Sequence, residues 1–274
     1  MSVDVCNSCA KCPSRFLCWV DIDDESIQDL GVGTVSSRIK VSRGETLIHH
    51  GQVFDNVYAV RSGSFKTVTK ASDGRERVTG FNLSGEWIGL DGLMSKRHLA
   101  RREAIEDSEV CVVSLVRLES AAKDYPTLQQ NLLLRMSQEA VCEGDGEVLT
   151  MHGSTQEKVA SLLLDLIERR QERGFAPSEL ILKMSHRDLA SYLCVTPDAL
   201  NRAFTRLIDG EILEIQKQHV RIHDMAKLQA VAQPKARWSV MGLNSTPWAA
   251  AISDTEGNRR RATCVMAQQR SQSF

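Results

Sequence analysis

The chain has 274 residues, 42% hydrophobic and 25% charged, with a formal net charge of −1 at pH 7. That length allows two domains that each bury a core without disulfide staples, while the balanced charge provides no global basic field for nucleic acid, so any such surface must be local. The opening MSVDVCNSCA has neither a basic stretch nor an apolar h-region, and no run reaches the length of about eighteen apolar residues that a membrane span needs; the expectation is a cytoplasmic protein with no membrane partner.

Residues 1–20 form a cysteine-rich segment with Cys6, Cys9, Cys12 and Cys18 at CxxCxxCxxxxxC spacing. In a reducing compartment such thiols read as a metal or redox site before they read as disulfides. Short CxxC loops let neighbouring thiolates face one centre, and three or four of them suit tetrahedral zinc or an iron–sulfur cluster. The bacterial ferredoxin run places its fourth cysteine three residues after the third, followed by proline. Here the interval is five, Pro13 follows Cys12 instead, and there is no second run. A zinc ribbon would need a second pair, but Cys111 and Cys142 stand alone.

Residues 21–117 carry short apolar or alternating runs, TLIHH, NVYAVRSGSFKTVTK, RVTGFNL and VCVVSLV, punctuated by glycines. This pattern predicts a small β-roll or jelly roll, with Ser72-Asp73-Gly74 at a hairpin tip. In residues 118–152, Leu128, Leu132, Met136 and Ala140 recur every four positions, flanked by Leu133 and Val141. They predict a long helix whose stripe forms either a dimer seam or a contact with its own β-roll. Gly144 and Gly146 follow, each costing roughly 1 kcal/mol inside a helix.

Residues 153–232 begin with an amphipathic helix over Gln156–Arg173. Ser185 then caps a helix with Leu189, Ala190 and Leu193 on one face, and a turn at Cys194-Val195 leads to Thr196-Pro197-Asp198. Threonine accepts from exposed amides, proline tolerates the first helical position, and aspartate favours the positive helix end. The second helix runs through Leu200, Ala203, Phe204 and Leu207 to Gly210, and the strands ILEIQ and HVRIH, joined by Lys217-Gln218, complete a winged helix-turn-helix. Residues 233–274 lack periodicity and read as a disordered tail, its Arg259-Arg260-Arg261 a solvated charge run.

In a helix-turn-helix, residues near the start of the second helix enter the major groove. Here these are Thr196, Asp198, Asn201 and Arg202, with Arg206 a turn further on, suited to a phosphate. Arg202 can pair bidentately with guanine, worth about 1–3 kcal/mol of discrimination, while Asn201 can favour adenine or reach a phosphate.

Taken in order, Cys9, Cys12 and Cys18, YAVRSGSFK, GRERVTGFNLSGEWIGLDGL, the isolated Cys111 in EVCVVSLVRLE, and VTPDALNRAFTRL resemble the oxygen-sensing FNR branch of the CRP/FNR transcription regulators. The resemblance covers residues 6 to about 232. It implies an α+β fold: an N-terminal cyclic-nucleotide-binding-like β-roll, a long dimerisation helix and a C-terminal winged helix-turn-helix. It further implies a non-enzymatic activator of anaerobic gene expression whose [4Fe-4S] cluster is held by Cys9, Cys12, Cys18 and Cys111. Cys6 is then the extra cysteine, with Cys6 in place of Cys9 as the rival assignment. The implied partners are a second copy of the chain, met through Leu132, Met136, Ala140 and Glu143; RNA polymerase; and an inverted repeat resembling TTGAT-N4-ATCAA.

The family's reading pattern is Glu-x-x-Ser-Arg where this chain has Asp198-x-x-Asn201-Arg202, which leaves the outer base preference open. Cyclic nucleotide binding in the superfamily needs a Gly-Glu pair and an Arg-Ser pair; here those positions are Gly89-Leu90 and His98-Leu99, so no cyclic nucleotide is expected. Two alternatives stay open on the thiol inventory: an iron–sulfur electron-transfer protein, and a redox-insensitive regulator with zinc.

Overall fold

A computed structural model of the chain describes residues 35–70, 74–124, 129, 133, 153–171, 175, 176 and 178–232. The first half is a β-roll of two antiparallel sheets. One has the order β1-β8-β3-β6, from β1 (Val35–Val41), β3 (Asn56–Ser62), β6 (Trp87–Ile88) and β8 (Ser108–Ser114). The other has the order β2-β7-β4-β5, from β2 (Thr46–Ile48), β4 (Ser64–Lys70), β5 (Glu76–Leu83) and β7 (Arg101–Ala104).

The central strands are apolar without alternation because both of their faces are covered. In β8, Val110 and Val112 point into the roll with Ile48, Val60, Phe65, Ile88 and Ala104. Cys111 and Val113 point the other way, into a second core with Val57, Ala59 and Trp87. That outer face is covered by α1 (Leu115–Asp124), which contributes Leu118 and Ala121. The expected strand signal ran through VCVVSLV, but β8 stops at Ser114 and helix starts at Leu115. From there Leu118 and Ala121 recur at helical spacing, and packing on the sheet decides the conformation. Between β3 and β4 the chain turns at Gly63, φ +86°, where a Cβ would lie 2.1 Å from the Ser108 hydroxyl oxygen. The β4–β5 hairpin pairs Lys70 with Glu76, so the expected tip falls between them; Gly74 has φ +83°, and residues 72 and 73 lie outside the described residues.

The second half starts with α2 (Thr155–Gln171), opened by a capping box in which the Ser154 and Glu157 side chains each accept from the other's backbone N–H. It continues through β9 (Glu179–Ile181), α3 (His186–Tyr192), α4 (Pro197–Asp209), β10 (Leu213–Gln216), β11 (His219–Ile222) and α5 (Met225–Val231), and its sheet has the order β10-β11-β9. β9 was not expected: three residues are too few for alternation to show. Its place is set by backbone pairing of Leu180 with Val220. Val68, Val78, Phe81 and Ile105 of the β-roll join the winged-helix core, so the two halves share packing within one compact unit ending at Gln233. The expected long helix beyond Asp124, with Gly144 and Gly146, and the tail over 233–274 lie outside the described residues. Among the described residues, no helix is long and apolar enough to cross a membrane.

Candidate nucleic-acid interface

Local chemistry fixes the two helices of the helix-turn-helix. The Ser185 hydroxyl accepts from the Asp188 N–H to start α3, and Leu189, Ala190 and Leu193 are buried in the core where α3 meets β5 and α4. The turn is made by Cys194, exposed and left-handed at φ 53°. Thr196 then caps α4 by accepting from the Ala199 N–H at 3.2 Å, with Pro197 at the first helical position. Leu200, Ala203, Phe204 and Leu207 form the buried stripe of α4. That burial leaves Thr196, Asp198, Asn201, Arg202, Thr205 and Arg206 exposed, all of them on or at the start of α4. Asp198 is the acceptor of this set, and Arg202 with Arg206 supplies its cations. The wing hairpin turns tightly at Lys217, φ 58°, next to Gln218, with Gln216 paired to His219.

His186, at the first position of α3, was not singled out by its sequence. Its Nδ1 lies 2.9 Å from Oδ1 of Asn201, and its ring stacks on Phe204 at 5.9 Å and 27°. A histidine following a capping serine gives no signal by itself; the contact exists only once α3 and α4 are packed.

The interface is also tied to the β-roll. Lys66 Nζ lies 2.9 Å from the Asp188 carboxylate and 3.1 Å from that of Glu103, and the Ser191 hydroxyl accepts from the Val78 N–H at 3.0 Å. Burial would raise the Asp188 carboxyl, but hydrogen bonds from Ser185 and Lys66 and the lysine charge hold it below its usual value. Burial likewise opposes the Lys66 charge, and the two carboxylates raise it nonetheless. Arg169 on α2 binds both Glu86 carboxylate oxygens, at 3.0 and 2.6 Å, and the Phe81 carbonyl at 2.6 Å.

Cys111 is the described member of the expected cluster ligands. It is 7% exposed, on the outer sheet face beside Trp87, Leu118 and Ala121. β1 runs antiparallel alongside, with Arg38 opposite Cys111 and Val35 opposite Val113. The chain preceding Val35 therefore joins the fold two residues along the sheet from this thiol. Sixteen residues separate Cys18 from Val35, and at about 3.3 Å each they span more than enough to bring Cys18 back to it. A thiol in apolar surroundings, two positions along the sheet from the start of β1, fits a site for thiolate-bound iron. Among the described residues, no group of three or more His, Cys, Asp or Glu could hold a metal by itself. Cys9, Cys12 and Cys18, and Leu132, Met136, Ala140 and Glu143, lie outside the described residues.

Around Gly89-Leu90 and His98-Leu99 the roll holds a carboxylate of its own, Asp91. Asp91 accepts from the Leu99 and Ala100 N–H groups at 2.9 and 3.0 Å; His98 Nδ1 is 3.3 Å away and Arg102 3.8 Å. Burial would push Asp91 up, but the bond from His98, the Arg102 charge and the Leu99 amide hold it below its usual value, so it is ionised at neutral pH.

Comparison with known proteins agrees with this architecture. The cyclic nucleotide-binding domain family matches residues 38–125 and the Crp-like helix-turn-helix domain family matches residues 157–231. The chain is 34% identical over 224 residues to the transcriptional regulatory protein Btr of Bordetella pertussis, covering 81% of this chain and 91% of the relative. It is 28% identical to the fumarate and nitrate reduction regulatory protein of Yersinia pestis, over 84% and 92% of the two chains. The structure of FixK2 from Bradyrhizobium japonicum superposes with a TM-score of 0.66 at 25% identity, over 73% of this chain and 98% of that one. On the fold, the helix-turn-helix and these relatives together, the chain belongs to the FNR-type branch of the CRP/FNR family of DNA-binding transcription regulators.

Proposed function

We propose that this regulator responds to oxygen, with nitric oxide as a second signal, through a [4Fe-4S] cluster on Cys9, Cys12, Cys18 and Cys111, and that it binds an inverted-repeat DNA as a homodimer while the cluster is intact. The observation that carries the reading is the location of Cys111: a buried thiol on the sheet face that α1 covers, beside the strand that continues from the cysteine-rich segment. When bound, the cluster supplies an oxygen-labile link between that segment and β8. The residues of the chain do the rest. Cys111 lies four positions before α1 begins, so holding or freeing the N-terminal segment there changes what packs beside Leu118 and Ala121. α1 leads into the stretch with Leu132, Met136, Ala140 and Glu143, the proposed dimer seam. A seam of marginal stability is tipped by a few kcal/mol, which is what a population switch requires.

At the DNA end, Asp198, Asn201 and Arg202 read base edges and Arg206 holds a phosphate, on half-sites resembling TTGAT-N4-ATCAA. The regulator acts in the cytoplasm as an activator of anaerobic genes with RNA polymerase as its partner. It takes no cyclic nucleotide, because the half-buried, ionised Asp91 already occupies the Leu99 and Ala100 amides and would repel a phosphate.

Iron and sulfide analysis of anaerobically purified variants tests the ligand set. Cys111→Ala is expected to lose the cluster and Cys6→Ala to keep it; the reverse would overturn the assignment, and stoichiometric zinc in place of iron would make the protein a redox-insensitive member of the family.

A further inference from the structure

The face of α4 is not completed by α4 alone. His186 reaches across from α3 and is held by two independent contacts: the hydrogen bond to Asn201 Oδ1 at 2.9 Å, and the stack on Phe204, itself buried and three positions after Asn201 on α4. An amide oxygen only accepts, so the imidazole Nδ1 facing it carries the proton. The orientation of the amide is thereby set. Its oxygen is turned toward α3, and its NH₂ group, which has no partner among the described residues, is turned outward from an exposed side chain.

The direction of that amide decides what it can read. An asparagine that recognises adenine bidentately must both accept from N6–H and donate to N7. With its oxygen engaged by His186, Asn201 presents donors alone: they match guanine O6 and N7 together or thymine O4, whereas on adenine they meet N7 alone and leave the N6 amino group unmatched. Arg202 beside it is also donor-only, and Asp198 is the acceptor of the same face.

We propose that His186 is a positioning residue for base recognition: by engaging the oxygen of Asn201 it holds the amide as a donor, so that Asn201 contacts acceptor atoms of the base pair opposite it and does not read the amino group of adenine or cytosine. This rests on the DNA-reading role of α4 set out above.

The test uses the full-length protein, purified anaerobically, and a library of duplexes carrying an inverted repeat with randomised half-sites. The position read by Asn201 is the one whose preference flattens in Asn201→Ala. Wild type is expected to keep its affinity when the amino group of the preferred pair at that position is deleted, with purine in place of adenine or 2-pyrimidinone in place of cytosine. His186→Ala is expected to flatten that position by roughly three- to tenfold, the size of one lost hydrogen bond, while the position read by Arg202 keeps its preference. His186→Gln, which retains a donor, is expected to recover part of the loss. His186→Ala combined with Asn201→Ala is expected to flatten no further than Asn201→Ala alone. A loss of affinity on that amino-group deletion that Asn201→Ala does not share would mean the amide oxygen reads the base, and would overturn the inference. So would a His186→Ala protein that loses affinity equally for every sequence, or one whose profile is unchanged. A wild-type protein that enriches no sequence at all would overturn the base-reading role of α4 and this inference with it, which distinguishes the two failures.

Discussion

The bidentate link between Arg169 and Glu86 joins the DNA-binding half to the β-roll, and its removal has a calculable cost. The two side chains are 22% and 20% exposed. Desolvation works against the guanidinium charge, but Glu86 and Asp165 outweigh it and raise Arg169 above its ordinary value. Breaking a fully buried pair by deleting one partner costs about 3–5 kcal/mol. One-fifth exposure screens part of that, so Arg169→Met is expected to cost about 2–3 kcal/mol, including the loss of a donor to the Phe81 carbonyl. Glu86→Gln keeps one acceptor and is expected to cost about 1–2 kcal/mol. Their coupling in a double-mutant cycle is then expected at about 1–2 kcal/mol. Urea denaturation of the two single variants and the double variant, followed by secondary-structure signal, gives all three numbers. Because the pair bridges the two halves, Arg169→Met is also expected to broaden a single transition toward two. Coupling below about 0.3 kcal/mol, within the range seen for independent sites, would refute the claim that this contact holds the winged helix on the roll.

Other outcomes follow from particular residues. Asp91 is ionised with a depressed value in the folded state and titrates near 3.9 when unfolded, so its contribution is fully present above about pH 4 and is lost as pH falls through the lower folded value. Urea midpoints between pH 2.5 and 6 should therefore fall more steeply for wild type than for Asp91→Asn, and equal slopes would contradict this. Gly63→Ala combines φ +86° with a Cβ 2.8 Å from the Ser108 Cα and is expected to lower stability by about 2–4 kcal/mol; a loss under 1 kcal/mol would show that the turn relaxes freely. Cys194→Gly relieves the left-handed φ of 53° and is expected to gain about 0.5–1 kcal/mol after the entropic cost of glycine, read as a higher thermal midpoint. Arg202→Ala is expected to lose sequence preference by about 1–3 kcal/mol with little change on random duplex; equal loss on both would assign Arg202 to a phosphate instead.

What could be read ahead of the structure was whatever depends on neighbours in the chain. Ser185 and Thr196-Pro197 marked the starts of α3 and α4 because capping is local chemistry, and the structure has both side chains accepting from the expected turn. The buried stripe of α4 followed from its period, and the wing from two alternating runs around Lys217-Gln218. At Gly210 the helix ends as expected, yet the left-handed residue is Glu211, at φ 55°. Contacts across long stretches of chain were not legible. Lys66 and Asp188 are 122 positions apart, and Arg169 and Glu86 are 83 apart. Fifteen positions separate His186 from Asn201. Each of these depends on which faces pack together, and a charged or polar residue on an exposed run carries no mark of its eventual partner. For the same reason the isolated Cys111 acquires meaning only from the sheet register that brings β1 alongside it.

The most direct measurement of the central claim is DNA retention before and after air, made on one anaerobic preparation whose iron, sulfide and zinc have been determined. The account predicts about four irons and four sulfides per chain, retention of an inverted-repeat duplex by a dimer, and loss of both cluster and retention on exposure to air. A colourless zinc protein that holds DNA equally well before and after air would contradict it.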